Sequence, residues 1–131
     1  MATTRVPSVL VVEDDRSTLS GYVDFLSGAG FNVVGLADGQ AAVETAVNIA
    51  PDVVITDVSL PGLDGLGLAA ALRTHSQTRD VPVIALTAHR TAEVRARATS
   101  AGVTTLLLKP CVPAHLLAEL ERVLRRRPAN G

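Results

Sequence analysis

The sequence predicts an α/β domain in which a parallel, doubly wound sheet lies between two layers of helices. Short apolar runs alternate five times with segments whose apolar residues recur at helical spacing, a pattern typical of strand-helix repeats with right-handed crossovers. The runs contain few polar residues, as expected for strands covered on both faces of a parallel sheet. The length of 131 residues is that of a single domain.

The predicted strands begin near residues 8, 31, 52, 81 and 104. The first helix follows the first strand, and its apolar residues have the spacing i, i+3, i+4 and i+7. These residues are Leu19, Tyr22, Val23 and Leu26. Gly28 and Gly30 follow as stop signals. The second helix has an apolar stripe within residues 42–50, and Pro51 ends it because a residue before proline disfavours helical backbone.

The remaining three helices have recognisable ends. We expect the third helix to begin after the turn residues Asp64 and Gly65. The fourth opens at Thr91, a residue type that caps helices, and closes at Gly102. The fifth has Pro113 in its first turn, where a proline is tolerated.

Composition limits the classes of function. The net charge of −1 gives no polyanion-binding signal, and three aromatic residues are too few to favour stacking on single-stranded nucleic acid. The lone Cys111 cannot form an intramolecular disulfide and fits a reducing compartment, and no apolar run approaches a membrane span. We therefore expect a cytoplasmic domain at residues 7–127 with a short tail at residues 128–131.

Polar side chains follow four of the predicted strands, at the point where each strand ends. Glu13 and Asp14 follow the first, Asp57 the third, Thr87 the fourth and Lys109 the fifth. The carboxyl ends of parallel strands meet at one edge of the sheet, where ligands bind in such folds. Three clustered carboxylates favour a divalent cation with oxygen ligands. The lysine and the threonine suit an incoming phosphoryl group.

These segments resemble the receiver domain of two-component response regulators, the CheY-like family. The resemblance covers roughly residues 7–125 and rests on four segments that occur in the family's order. They are Leu10 to Asp14, Asp57 with Leu60 to Gly65, Leu86 to Ala88, and Lys109-Pro110. The resemblance implies a single flavodoxin-like (βα)5 domain whose five parallel strands have the order 2-1-3-4-5.

The resemblance also assigns roles to the strand-end residues. Asp57 is the implied phosphoacceptor, and a carboxylate nucleophile forming an acyl phosphate is sound chemistry. The implied cofactor is Mg²⁺, bound directly by Asp14, by Asp57 and by the backbone carbonyl of Ser59, with Glu13 acting through a water. No organic cofactor is expected.

Lys109 and Thr87 are the implied partners of the phosphoryl oxygens, and Thr87 the implied switch. The Lys109-Pro110 bond is usually cis in this family. The sequence departs from the family at Leu106, where an aromatic residue usually follows the movement of the threonine. We therefore expect the loop after Thr87 to change more than the side chain of Leu106.

The implied function is a phosphorylation-dependent switch. A sensor histidine kinase or a histidine phosphotransfer protein supplies the phosphoryl group, and an unknown downstream protein reads the result. Catalysis is limited to self-phosphorylation and slow autodephosphorylation. We expect a monomer or weak dimer that binds neither nucleic acid nor membrane.

Two alternatives remain open from the residues themselves. An Asp-nucleophile phosphatase or phosphotransferase of the haloacid-dehalogenase type needs a second acid two residues after the nucleophile, where this chain has Ser59. The chain can also be a receiver excised from a larger regulator or hybrid kinase. A nucleotide-binding module is disfavoured because the sequence has no phosphate-binding glycine motif.

Overall fold

The computed structural model describes residues 5–126, and within that range strands and helices alternate strictly. The strands are β1 (Ser8–Val12), β2 (Asn32–Leu36), β3 (Val53–Asp57), β4 (Val83–Thr87) and β5 (Thr105–Leu108). The helices are α1 (Arg16–Gly28), α2 (Gly39–Ile49), α3 (Gly65–Leu72), α4 (Ala92–Ser100) and α5 (Pro113–Arg126). The predicted tail at residues 128–131, and residue 127 of the predicted domain, lie outside the described residues.

All described strand pairs are parallel, and the sheet has the order β2-β1-β3-β4-β5. The predicted doubly wound (βα)5 architecture and its strand order are therefore confirmed. The register aligns Val12 with Thr56, and it aligns Asp57 with Leu86. The carboxyl ends of β1, β3 and β4 consequently lie side by side at one edge of the sheet.

The core forms two main layers because successive strand residues point to opposite faces of the sheet. In β1, Val9 and Val11 pack into the layer that contains Leu26 of α1 and residues of α5. Leu10 and Val12 pack into the opposite layer with residues of α2 and α3. β1, β3 and β4 are buried almost throughout, which explains their nearly continuous apolar sequence.

Burial on both faces is wrong for the second and the fifth apolar runs. β2 pairs with β1 alone, and none of its residues is fully buried. β5 pairs with β4 alone and lies at the edge of the sheet. Leu106 is half-buried and Leu108 is 46% exposed. An edge strand is covered on fewer sides than a central one, and an apolar run cannot reveal by itself which place it takes.

The helix ends follow the predicted chemistry with small shifts. Asp15 caps α1 by accepting a hydrogen bond from the Thr18 amide at 2.9 Å, and Thr91 caps α4. Asp64 caps α3, so that helix begins at Gly65 itself rather than after it. No helix among residues 5–126 is long and apolar enough to cross a membrane.

Candidate functional site

Three carboxylates meet at the carboxyl edge of the sheet, as the sequence predicted. Glu13 and Asp14 follow β1, and Asp57 is the last residue of the adjacent β3. Each side chain offers an oxygen, and the three oxygens lie within 4.8 Å of one another. The pairing of β1 with β3 therefore brings together acids that are more than 40 residues apart.

The three carboxylates differ in their exposure to solvent. Glu13 is 2% exposed and Asp57 is 6% exposed, whereas Asp14 is exposed. Burial is the main cause that raises the pKa of Glu13, and the charge of Asp57 adds to it. The Asp15 amide donates to Glu13 Oε2 at 2.9 Å and acts in the opposite direction. Clustered anionic oxygens with one side open to water fit a hard divalent cation.

Lys109 follows β5 and reaches two of these acids. Its Nζ lies 3.3 Å from Asp57 Oδ2 and 3.4 Å from Glu13 Oε1. Burial lowers the pKa of Lys109, but the charges and hydrogen bonds of Asp57 and Glu13 outweigh this effect and raise the pKa overall. The ammonium group is therefore charged at the point where an anionic group would approach Asp57.

The backbone around Lys109 is held in a defined position. The Lys109 amide donates to the Thr87 carbonyl at 2.7 Å. The Lys109-Pro110 peptide bond is cis, as the family resemblance implied. The ends of β4 and β5 are thereby linked directly at the edge of the site.

Thr87 is the last residue of β4, and its side chain is buried. Its Oγ1 accepts a hydrogen bond from the His89 amide at 3.2 Å and donates to the His89 carbonyl at 3.1 Å. The hydroxyl is thus bound to the backbone of the loop between β4 and α4. A hydroxyl has one hydrogen, so donation to another group would break the bond from Thr87 to the His89 carbonyl.

The loop after Asp57 borders the acidic cluster. Ser59 is exposed and lies with Asp14 in the lining of a cleft of about 540 Å³. Arg97 of α4 also lines this cleft, and its Nη2 lies 3.2 Å from Asp64 Oδ2. The ion pair joins α4 to the cap of α3 beside the cleft.

Two features of the site were not predicted from the sequence. The sequence indicates Asp64 only as a turn residue, although it also pairs with Arg97. Tyr22 was interpreted only as part of an apolar stripe, whereas its hydroxyl donates to the carbonyl of Cys111 at 2.9 Å. A single tyrosine within an apolar stripe is itself a signal, because a buried hydroxyl requires a partner.

The family model for the response regulator receiver domain matches residues 9–121. The transcriptional regulatory protein PrrA of Mycobacterium leprae is 38% identical over 125 residues, which cover 95% of this chain and 53% of PrrA. The chain thus spans about half the length of the curated relatives it matches.

Two solved structures show the same architecture. The chemotaxis response regulator CheY4 of Vibrio cholerae is 34% identical, with a TM-score of 0.86, and the match covers 91% of this chain and 99% of CheY4. The receiver domain of sensor histidine kinase PA1611 from Pseudomonas aeruginosa is 34% identical, with a TM-score of 0.79 and 93% and 97% coverage. That structure holds a magnesium ion coordinated in its active site cleft.

Fold, site and similarity together define a signalling domain of the two-component type. The chain belongs to the response regulator receiver domain family. Receiver domains bind Mg²⁺ at an acidic pocket and interact with histidine kinases or phosphotransfer proteins. Family membership favours a two-component signalling function over the alternative of a haloacid-dehalogenase-type phosphatase.

Proposed function

We propose that Asp57 accepts a phosphoryl group from a sensor histidine kinase or a histidine phosphotransfer protein. The observation that carries the proposal is the place of the Asp57 carboxylate. It is buried within the acidic cluster, at the carboxyl edge of the sheet, with the Lys109 ammonium 3.3 Å away. A nucleophile in this position has a cationic partner ready for the charge of the transferred group.

The transfer exchanges one bond to phosphorus for another. A carboxylate oxygen of Asp57 forms the new oxygen–phosphorus bond as the bond between phosphorus and the histidine nitrogen of the donor breaks. The electron pair of the broken bond stays on the imidazole. We expect Lys109 to bind a phosphoryl oxygen by charge, and Thr87 to bind one by its hydroxyl once that hydroxyl leaves the His89 carbonyl.

The donor set of the acidic cluster fits Mg²⁺. We assign Asp14, Asp57 and the backbone carbonyl of Ser59 as direct ligands, with Glu13 acting through a water. The bound cation would offset the repulsion between these carboxylates and the anionic donor. Hydrolysis of the acyl phosphate at the same site would end the signal. The catalysis that we propose is limited to self-phosphorylation and autodephosphorylation.

The proposal is tested with Mg²⁺ and the small phosphodonor acetyl phosphate. Intact mass spectrometry should show the gain of one phosphoryl group in the wild-type protein and no gain in Asp57→Asn. The control Asp24→Asn, at an exposed position of α1, should be phosphorylated like wild type. A phosphoryl group retained by Asp57→Asn would refute the assignment.

We further propose that residues 7–127 act as one receiver unit in the cytoplasm and signal to a downstream protein. The expected assembly is a monomer or weak dimer without nucleic-acid or membrane binding. Light scattering across a concentration series tests the assembly, and a stable higher oligomer would contradict it.

A further inference from the structure

Tyr22 makes a long-range hydrogen bond to the loop that follows Lys109. Its side chain lies on α1 and is 6% exposed. Its hydroxyl donates to the carbonyl of Cys111 at 2.9 Å, and the two residues are 89 positions apart in the chain. Cys111 lies in the short loop between β5 and α5, two residues after Lys109.

Other backbone hydrogen bonds lie at the two ends of this loop, and at its far end the Val112 carbonyl accepts from the His115 and Leu116 amides. The Lys109 amide is bound to the Thr87 carbonyl, but Pro110 has no N–H and cannot donate. The Cys111 carbonyl accepts from the Tyr22 hydroxyl, and this bond fixes the chain on the far side of the proline. A buried carbonyl deprived of its partner would pay the cost of desolvation, so the bond favours one position of the loop.

The helix that carries Tyr22 also begins at the acidic cluster. Asp15 caps α1 and directly follows Asp14. The hydroxyl of Tyr22 therefore ties the helix that starts at the acids to the loop that carries the lysine. Burial is the main cause that raises the pKa of Tyr22, and the charges of Lys109, Glu13 and Asp57 also act on it.

We propose that Tyr22 is a positioning residue for phosphoryl binding, which acts through the Cys111 carbonyl to hold Lys109 beside Asp57. The inference rests on the proposed function of Asp57 and goes beyond it. Tyr22 touches neither the phosphoryl group nor the cation. Its effect should be confined to the interaction that depends on Lys109.

The test uses two probes with different requirements. Mg²⁺ alone needs the acidic oxygens, whereas beryllofluoride, a phosphoryl mimic bound in the presence of Mg²⁺, also needs Lys109. Tyr22→Phe keeps the ring and removes the hydroxyl. We expect unchanged Mg²⁺ affinity and an affinity for beryllofluoride that is about tenfold lower, the effect of losing one buried hydrogen bond.

Thr78→Val is a matched control. Thr78 is fully buried, and its hydroxyl donates to the Leu72 carbonyl at 2.6 Å, in the segment that precedes β4 at the opposite edge of the sheet. The variant removes a bond of the same kind far from the site. It should leave both affinities unchanged even where the unfolding midpoint falls as much as in Tyr22→Phe.

Lys109 offers a direct second measurement because it is the only lysine of the chain. Protein labelled with ¹³C-lysine gives a single set of side-chain NMR signals, which needs no assignment. In Tyr22→Phe the ε-methylene signal should move toward that of free lysine, and in Thr78→Val it should stay in place.

The outcomes separate this inference from the proposed function. An unmoved Lys109 signal with wild-type beryllofluoride affinity in Tyr22→Phe would overturn the inference. Parallel losses of Mg²⁺ and beryllofluoride affinity would also overturn it, because they would show a general loosening of the fold. Failure of wild type to bind beryllofluoride would instead refute the role of Asp57, while the Lys109 signal would still test the hydrogen bond.

Discussion

Of the three carboxylates in the acidic cluster, Asp14 is the one whose negative charge is not balanced by an ion pair with Lys109. Among the described residues, the ion pairs of Lys109 involve Glu13 and Asp57. Asp14 adds a third negative charge within 4.8 Å of the other two. Without a cation, this arrangement disfavours the folded state. The same repulsion makes the site receptive to Mg²⁺.

Asp14→Asn should therefore change the melting temperature in opposite senses with and without metal. In metal-free buffer we expect a small rise, worth at most about 1 kcal/mol because the side chain is exposed. With Mg²⁺ at about 100 times its Kd, wild type gains about 2.7 kcal/mol and should become the more stable protein. Thermal unfolding in chelator and in Mg²⁺ measures both effects, with Asp24→Asn as control. A variant that melts below wild type in chelator would contradict the repulsion.

A second residue-level effect concerns the pH dependence of α5. Glu119 accepts hydrogen bonds from the Arg122 side chain, and Arg122 Nη2 also donates to Thr105 Oγ1 of β5 at 3.2 Å. Hydrogen bonding from Arg122 is the main cause that lowers the pKa of Glu119. The ordinary pKa of a glutamate carboxyl is about 4.3. A carboxyl whose pKa is lower in the folded state stabilises the fold fully above that pH. This stabilisation is lost as the pH falls through the folded-state pKa.

Glu119→Gln should accordingly destabilise the protein at neutral pH and have little effect in acid, where the wild-type carboxyl is protonated. The measurement is the difference in urea midpoint between variant and wild type across a pH series. Glu121→Gln, at an exposed position of the same helix, is the control. A difference that persists unchanged in acid would show that the carboxylate charge of Glu119 contributes nothing.

At the level of elements, the start of α3 packs directly on the backbone that carries Asp57. The Gly65 amide donates to the Val58 carbonyl at 2.9 Å. A methyl group on Gly65 would overlap the carbonyl oxygen of Asp57. The glycine is therefore required by the close approach of two backbones. By contrast, a methyl group on Gly21 of α1 would meet no atom within 4 Å.

These two glycines make a matched pair of variants. Gly65→Ala should cost about 1–3 kcal/mol of unfolding free energy, because two backbone segments must move apart, and it should weaken Mg²⁺ binding. Gly21→Ala should stabilise the protein by about 0.5–1 kcal/mol, since alanine is the better residue within a helix, and should leave Mg²⁺ binding unchanged. Chemical denaturation and metal titration test both. Equal stability changes in the two variants would refute the close-packing argument.

For the whole molecule, a signal requires that a conformational change pass from the carboxyl edge of the sheet to the surface that a partner binds. Thr87 holds the His89 backbone through two hydrogen bonds, so its movement would release the loop before α4. Leu106 is half-buried and packs against the cluster that contains Ala85 and Ala98. An aliphatic side chain that already packs against the core gains little free energy from a change of rotamer. The loop is thus better suited than Leu106 to transmit the change.

NMR spectra with and without beryllofluoride should show this distribution. We expect backbone shifts at residues 88–91 to exceed the methyl shifts of Leu106. A ligand changes a conformation only through contacts that differ between the two states, and the two bonds of Thr87 to His89 are the contacts that we expect to differ. Larger, rotamer-sensitive shifts at Leu106 would place the switch on β5 instead.

Local sequence by itself determined the alternation of elements, most helix ends and the set of candidate site residues. These features depend on signals between near neighbours, such as apolar periodicity, the cap at Thr91 and the polar residue after most strands. The strand order, the metal set and the cis bond before Pro110 came from resemblance to a family. The strand order and the cis bond are confirmed by the structure, and the roles assigned to Asp57, Ser59 and the other site residues stay predictions.

Only the tertiary structure decided which distant groups touch. The edge position of β5, the Tyr22 bond to Cys111 and the Asp64–Arg97 ion pair join residues that are far apart in the chain. Nothing in the local pattern distinguishes an apolar run at an edge from one at the centre, or a tyrosine with a buried partner from one that faces water. Such contacts depend on how whole elements pack, and packing brings together residues that local sequence signals do not connect.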